Sequence, residues 1–307
     1  MKYIRFAQTQ QVLALFTLLI LFQVFLLLTQ SPAPPAAASA LVPPPPSRAS
    51  VLSAPRAEGN VFLPMVQGAV SPPKKGIGLT YSDCASATAV GAIWQFGWSP
   101  TPANCAGIEN VPMIWGASDV NENLGGNSDW VLGFNEPDLQ SNITPSQAAT
   151  LWRQIEQKYP SRKLVAPAPS GANPTWVVSF YNAYVSAYGT APRLDALAVH
   201  CYAWYASQCI SHTQQFESWA NSWGVPEVWV TEFSFSPTSP SSPSRALQEG
   251  QTFISWMMSD PKVTRYAWFA SKMQGTEWWI SGYFITPLID WNSGQPTSFG
   301  NMYLPFR

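Results

Sequence analysis

Charge is scarce in this chain. Lysine, arginine, aspartate and glutamate make up 11% of its 307 residues, against about a quarter in an average globular protein. The formal net charge is -1. No basic face is suggested that could neutralise phosphates, so nothing points to a nucleic-acid partner. Histidine is scarcer still, with His200 and His212 alone. No G-x-S-x-G segment accompanies them, which leaves a serine-hydrolase triad poorly supported. The four cysteines, Cys84, Cys105, Cys201 and Cys209, include no C-x-x-C pair and resemble no zinc site. No phosphate-binding glycine motif is present, and no cofactor is implied.

Aromatic residues, in contrast, are plentiful. They reach 14% of the chain, with 15 tryptophans, and 46% of residues are hydrophobic. A sizeable core is affordable, and tryptophans beyond its needs can line a cleft for a flat apolar ligand such as a sugar face.

The amino terminus reads as an export signal. Lys2 and Arg5 precede an apolar run from Val12 to Leu28, and Ala38-Ser39-Ala40 resembles a cleavage site. A cleaved signal over residues 1–30 is the first expectation; an uncleaved anchor tethering the chain to a membrane is the second. Residues 31–73 are rich in Pro, Ala and Ser and read as an extended tether. An even cysteine count in an exported chain favours disulfides. Pairing of neighbours, Cys84 with Cys105 and Cys201 with Cys209, closes short loops, although sequence alone allows three connectivities.

From 74 to 307 the sequence alternates β-rich runs with helical stretches. Eight candidate strands are Gly76–Tyr81, Ala89–Phe96, Val111–Gly116, Trp130–Asn135, Lys163–Pro167, Ala196–Tyr202, Glu227–Phe233 and Arg265–Ala270. Most are continuously apolar, as suits parallel strands buried on both faces. Helices are expected from Thr144-Pro145 to Tyr159, from Asn173-Pro174 to about Tyr188, from His212 to Trp223 and from Ser244 to Ser259. His212 falls at a helix start. The early connections are too short or irregular for full helices. The fold class is therefore α/β, a compact (β/α)8 TIM barrel with reduced early helices.

Active residues of such barrels sit at the C-terminal ends of strands. Two glutamates fall there: Glu136, after the fourth run, and Glu232, in the seventh. Neither has a lysine or arginine within several positions, and both end apolar, aromatic-containing runs where burying an ionised group is costly. A carboxylate pair across a cleft is what glycoside hydrolysis requires, one group to protonate the leaving oxygen and one to attack the anomeric carbon or activate water.

The ordered set GIGLTY, PMIWG, GFNEPD, LVAPAPS, LAVHCY, VWVTEF and RYAWFA, from about Lys74 to the C-terminus, resembles family 128 of the glycoside hydrolases. The resemblance implies an endo-acting, retaining β-1,3-glucanase, with Glu136 as acid/base and Glu232 as nucleophile; a monomer is expected. A hydrolase of another β-linked glycan and a non-catalytic carbohydrate-binding surface protein are the alternatives. Asn135 is placed to bind a sugar 2-hydroxyl. His200 and Tyr202 share one strand face, the tyrosine to hold Glu232 and the histidine to touch sugar or the acid. For stacking, Trp115 and Trp268 rank highest among the strand-end tryptophans, which also include Trp94, Trp98, Trp204, Trp278 and Trp279. Asp138 is expected to fix the acid's loop. Asp83, Asp119 and Glu277 are lesser candidates for sugar hydroxyls, and Asp195 is read as structural beside Arg193.

Overall fold

A computed structural model of the chain describes residues 74–274 and 286–306. The expected signal and tether, and Glu277, Trp278 and Trp279, lie outside the described residues.

Eight parallel strands form the framework: β1 Lys75–Gly78, β2 Trp94–Phe96, β3 Glu109–Asn110, β4 Trp130–Leu132, β5 Lys163–Val165, β6 Ala196–Ala203, β7 Glu227–Phe235 and β8 Val263–Trp268. Their order is β3-β2-β1-β8-β7-β6-β5-β4. The two ends of this curled sheet meet where Met113 bridges Leu132. There Ile114 N donates to Leu132 O and Leu132 N to Pro112 O, each at 2.9 Å. The architecture is the (β/α)8 barrel that the run of eight apolar segments predicts.

The helices are α1 Cys84–Ala89, α2 Pro145–Lys158, α3 Trp176–Tyr188, α4 Ala206–Trp223, α5 Pro243–Ser259 and α6 Ser298–Tyr303. Thr144 caps α2 in a capping box with Gln147, and Pro145 takes the first helical position, where its missing N–H costs nothing. Between β3 and β4 there is only a short 3-10 turn, Ala117–Asn121, in keeping with the reduced early helices.

Three expectations need correction. The strand expected from Ala89 starts at Trp94, because the preceding residues complete α1 and a turn. The third run, expected at Val111–Gly116, forms no regular strand: β3 is Glu109–Asn110, just before it, and Pro112 has no N–H to give a ladder. His212 lies within α4, which starts six residues earlier than the sequence suggests.

Two apolar layers hold the barrel. One fills its interior and includes Trp94, Phe96, Trp130, Leu132, Val165, Ala198, Trp229 and Ala267. Arg265 lies among these rings, its guanidinium carbon 4.4 Å from the Trp229 ring centroid and 5.6 Å from that of Trp94. It is ion-paired to Glu109 at 2.7 Å. The other layer lies between strands and helices and contains Ile77, Trp152, Phe180, Phe216, Phe233, Phe253 and Trp268.

Both expected disulfides are present, Cys84–Cys105 and Cys201–Cys209. Among the described residues no helix is long and apolar enough to cross a membrane.

Candidate active site

Glu136 follows β4 by four residues, and Glu232 lies on β7. Gly133 lets the GFNEPD segment leave the barrel wall closely packed, since a Cβ there would come within 2.8 Å of the Val165 carbonyl and 2.9 Å of the Trp152 ring. Glu136 itself has φ +38°, a left-handed conformation unfavourable for a residue with a Cβ and typical of functional sites. Its peptide is tied down, with its N–H bonded to Ala168 O at 2.8 Å. Strain held in place by the surrounding backbone fixes where the carboxyl points.

Glu232 is aligned by sheet register. It pairs with His200 across β6 and β7, next to an irregularity between Val199 and His200. Alternation then brings Tyr202, two residues on, to the same face.

The result is a buried polar cluster. Glu136 and Glu232 are 5% and 3% exposed and His200 is fully buried. His200 Nδ1 lies 3.1 Å from Glu136 Oε1 and 3.5 Å from Glu232 Oε2. One ligand-type atom of each of the three residues lies within 4.8 Å of the other two. Tyr202 donates its hydroxyl to Glu232 Oε2, and Trp98 donates its indole N–H to Glu232 Oε1 at 2.7 Å. Gln140 Nε2 donates to Glu136 Oε2 at 2.6 Å. A carboxylate–imidazole trio also has the residue types of a metal site. Here, however, both oxygens of Glu232 and one of Glu136 receive side-chain N–H or O–H donors, an arrangement suited to handling protons.

Burial pushes the Glu232 carboxyl above its ordinary value, and the Glu136 charge adds to the rise; His200, Tyr202 and Trp98 oppose it. For His200, burial alone would lower the pKa, but Glu232, Glu136 and Asp138 together lift it above its ordinary value. Tyr202 is raised well above its ordinary value by burial and then by the two carboxylates, so its hydroxyl keeps its proton and remains a donor.

Around this centre, Asn135 is buried and its Oδ1 has no hydrogen-bond partner among the described residues; the same holds for His200 Nε2. Trp115 is half-buried against the interior layer, with its carbonyl accepting from Asn135 N at 3.0 Å. Trp204 is half-buried just beyond β6.

Trp268 is not a cleft residue. It is fully buried, pairs with Phe233 and Ile77 across the sheet, and packs edge-on against Phe233 at 4.9 Å. Its indole N–H is spent on Thr286 O at 2.7 Å. Side chains alternate along a strand, so if Ala267 points into the barrel, Trp268 points to the helices. The inward neighbour on its C-terminal side is Phe269, half-buried, whose ring lies 5.3 Å from that of Trp98 and 5.7 Å from that of Tyr202. Trp94 is likewise buried in the interior.

The secondary carboxylates are occupied. Asp138 accepts from Ser170 N at 2.8 Å and from its hydroxyl, and so fixes the loop that carries Glu136. Burial raises its pKa, and the Ser170 bonds act against that. Asp83 is bound by Lys272 and Ser86, and Asp119 caps the turn after Trp115. Asp195 accepts from Leu164 N rather than from Arg193.

Sequence reasoning missed Gln140 and Phe269, and it placed Trp98 only among many possible stacking residues. Gln140 lies four positions after Glu136, a separation that a single turn closes. Trp98 carries no local signal beyond its position after a strand; its φ of +51° becomes visible only in the fold.

A parallel eight-stranded barrel with two buried glutamates at the C-terminal ends of β4 and β7 defines the glycoside-hydrolase class of TIM barrels. The chain belongs to the family described as the glycosyl hydrolase catalytic core, whose model matches residues 77–303. It is similar to a subgroup I endo-β-1,3-glucanase of glycoside hydrolase family 128 from Amycolatopsis mediterranei, solved with laminarihexaose. The two are 27% identical with a TM-score of 0.62 over 77% of this chain and all of that one. It is also similar to a subgroup II endo-β-1,3-glucanase of that family from Pseudomonas viridiflava, 26% identical, TM-score 0.60, over 76% and 98% of the two chains. A curdlan-specific exo-β-1,3-glucanase of subgroup III from Blastomyces gilchristii is 25% identical, TM-score 0.58, over 75% and 97%. Among curated proteins, the chain is 31% identical to alkali-sensitive linkage protein 1 of Schizosaccharomyces pombe over 152 residues. That match takes in 46% of this chain and only 26% of the relative's length.

Proposed function

We propose that the chain is an exported, monomeric endo-β-1,3-glucanase acting by double displacement. The observation that carries this reading is the buried pair Glu136 and Glu232, with a carboxylate oxygen of each within 4.8 Å of the other. That is close to the roughly 5–5.5 Å separation of retaining enzymes and short of the roughly 6.5–9.5 Å that leaves room for the water of inverting ones. Trp98 and Tyr202 both donate to Glu232 and favour its ionised form, the form a nucleophile needs.

The steps follow. A Glu232 oxygen attacks the anomeric carbon as the glycosidic C–O bond breaks, and Glu136 gives its proton to the departing oxygen. The Glu136 carboxylate then takes a proton from water, whose oxygen attacks the same carbon and frees Glu232. Asn135, with its unpartnered buried Oδ1, accepts from the sugar 2-hydroxyl. Trp115 and Trp204 contribute stacking faces, and His200 Nε2 a further polar contact.

The β-1,3 linkage is supported by all three glucanase neighbours, and endo action by the Amycolatopsis and Pseudomonas ones, the Blastomyces enzyme being exo-acting. Export is supported by the apolar run Val12–Leu28 and by two disulfides, which form in oxidising compartments. The test is reducing-sugar release by the full chain from linear β-1,3-, mixed-linkage and β-1,4-glucans, with the first-formed anomer read by NMR. The expected result is β-1,3-glucan cleavage into mixed oligosaccharides with retained configuration, falling at least about 10³-fold in Glu136→Gln and Glu232→Gln. Inverted product refutes the mechanism, and activity confined to another glycan refutes the substrate. Glucan binding without turnover would make the chain a carbohydrate-binding protein.

A further inference from the structure

A second aromatic feature stands on the same rim of the barrel, outside the carboxylate cluster. Just beyond β1, Thr80–Ser82 form a single 3-10 turn in which Tyr81 and Ser82 have φ of +57° and +52°. Two consecutive left-handed residues, neither of them glycine, are unfavourable and persist only where the surroundings impose them. The surroundings are specific. Thr80 N donates to Ser271 Oγ at 3.0 Å, and Thr80 Oγ1 donates to Lys272 O. Asp83 is ion-paired to Lys272 at 2.6 Å. Lys272 in turn lies 5.3 Å over the ring of Trp291.

All this fastening holds Tyr81 outward. It is 50% exposed, more than any other large hydrophobic side chain described. Its ring meets Trp291 edge-on, with centroids 4.9 Å apart and planes at 67°. Two rings set at a steep angle and braced from behind make a corner into which the CH face of a pyranose fits.

The corner is near the reacting groups. A Cβ on Gly78 would lie 2.9 Å from the Trp98 ring, and the Trp98 N–H reaches Glu232. From Gly78 to Tyr81 the chain advances three residues, at most roughly 11 Å. That span is on the order of a few sugar units, so a glucan reaching from the two glutamates toward β1 can meet the corner.

We propose that Tyr81 and Trp291 form a distal subsite that grips a glucosyl unit remote from the scissile bond and so favours long glucan chains over short ones. The inference rests on the glucanase reading above. The measurement is kcat/KM of the full chain for laminarihexaose against the shortest laminarin oligosaccharide it cleaves. Tyr81→Ala and Trp291→Ala are each expected to lower the long-to-short ratio roughly three- to tenfold, mainly through KM, and Tyr81→Trp to restore it. A ratio unchanged in both alanine variants overturns the subsite. So does an equal loss on both substrates that Tyr81→Trp fails to restore, which would mark a structural role. Should the wild type cleave no β-1,3-glucan, calorimetry with laminarihexaose separates the two ideas. Affinity weakened by Tyr81→Ala upholds the subsite while the glucanase reading falls; equal affinity, or no binding, overturns the subsite as well.

Discussion

The hydrogen bond from Tyr202 to Glu232 offers a sharp test of how the carboxylate pair is tuned. Tyr202→Phe removes one hydroxyl and leaves the ring that meets Phe269 edge-on at 5.7 Å. Glu232 is buried, with a pKa raised above the ordinary carboxylate value by desolvation and by Glu136. Donors from Tyr202 and Trp98 oppose that rise. A hydrogen bond to a charged group contributes about 1.5–3 kcal/mol, and each 1.4 kcal/mol is a factor of ten in rate. Loss of the Tyr202 bond should therefore lower kcat/KM about 10- to 100-fold. The sign of the pH effect is fixed as well. In the proposed double displacement the active form has Glu232 ionised. Removing a donor that favours the ionised form pushes its pKa further up, so the acid limb of the kcat/KM profile moves to higher pH and activity is lost earlier on acidification. The assay is initial-rate hydrolysis of β-1,3-glucan between about pH 3 and 8. An unchanged acid limb with unchanged kcat/KM would refute the assignment of Tyr202 as the group that holds Glu232 ionised. A limb that moved to lower pH would refute the sign.

Other consequences concern the frame around the site. The Cys84–Cys105 bridge spans 21 positions and Cys201–Cys209 spans 8, so chain-entropy estimates give about 3.4 and about 2.5 kcal/mol. Replacing Cys84 and Cys105 by serine should lower Tm by roughly 7–14 °C, read by calorimetry without reductant; an unchanged Tm would contradict the loop-closure account. Trp268 and Phe269 should behave oppositely although they are neighbours. Trp268→Ala empties a fully buried site and should cost about 3–5 kcal/mol in urea denaturation. Phe269→Ala, in the cleft beside Trp98 and Tyr202, should instead reduce kcat/KM with a smaller loss of stability, and reversed outcomes would show the β8 parity to be misread.

That parity marks the boundary of what the sequence discloses. The barrel was legible because its evidence is additive: many apolar runs, a Thr-Pro helix start, and scarce charge all favour the same architecture, so a misplaced boundary at Trp94 or Pro112 does not change it. Glu136 and Glu232 were legible for a different reason. An ionisable group at the end of an apolar run is expensive wherever it points, so its presence asks for a use before its orientation is known. Tryptophan carries no such cost. It is equally at home in a core and in a cleft, and only the register of β8 against β7, Trp268 beside Phe233, decides which. A continuously apolar strand gives no alternation from which to read that register. The same argument explains Trp98 and Gln140. Each acts on a glutamate through a contact made by backbone geometry, a left-handed residue in one case and a turn in the other, which residue type alone does not encode. In a parallel barrel, then, costly residues are identified by chemistry and inexpensive ones by geometry. The aromatic lining belongs to the second kind.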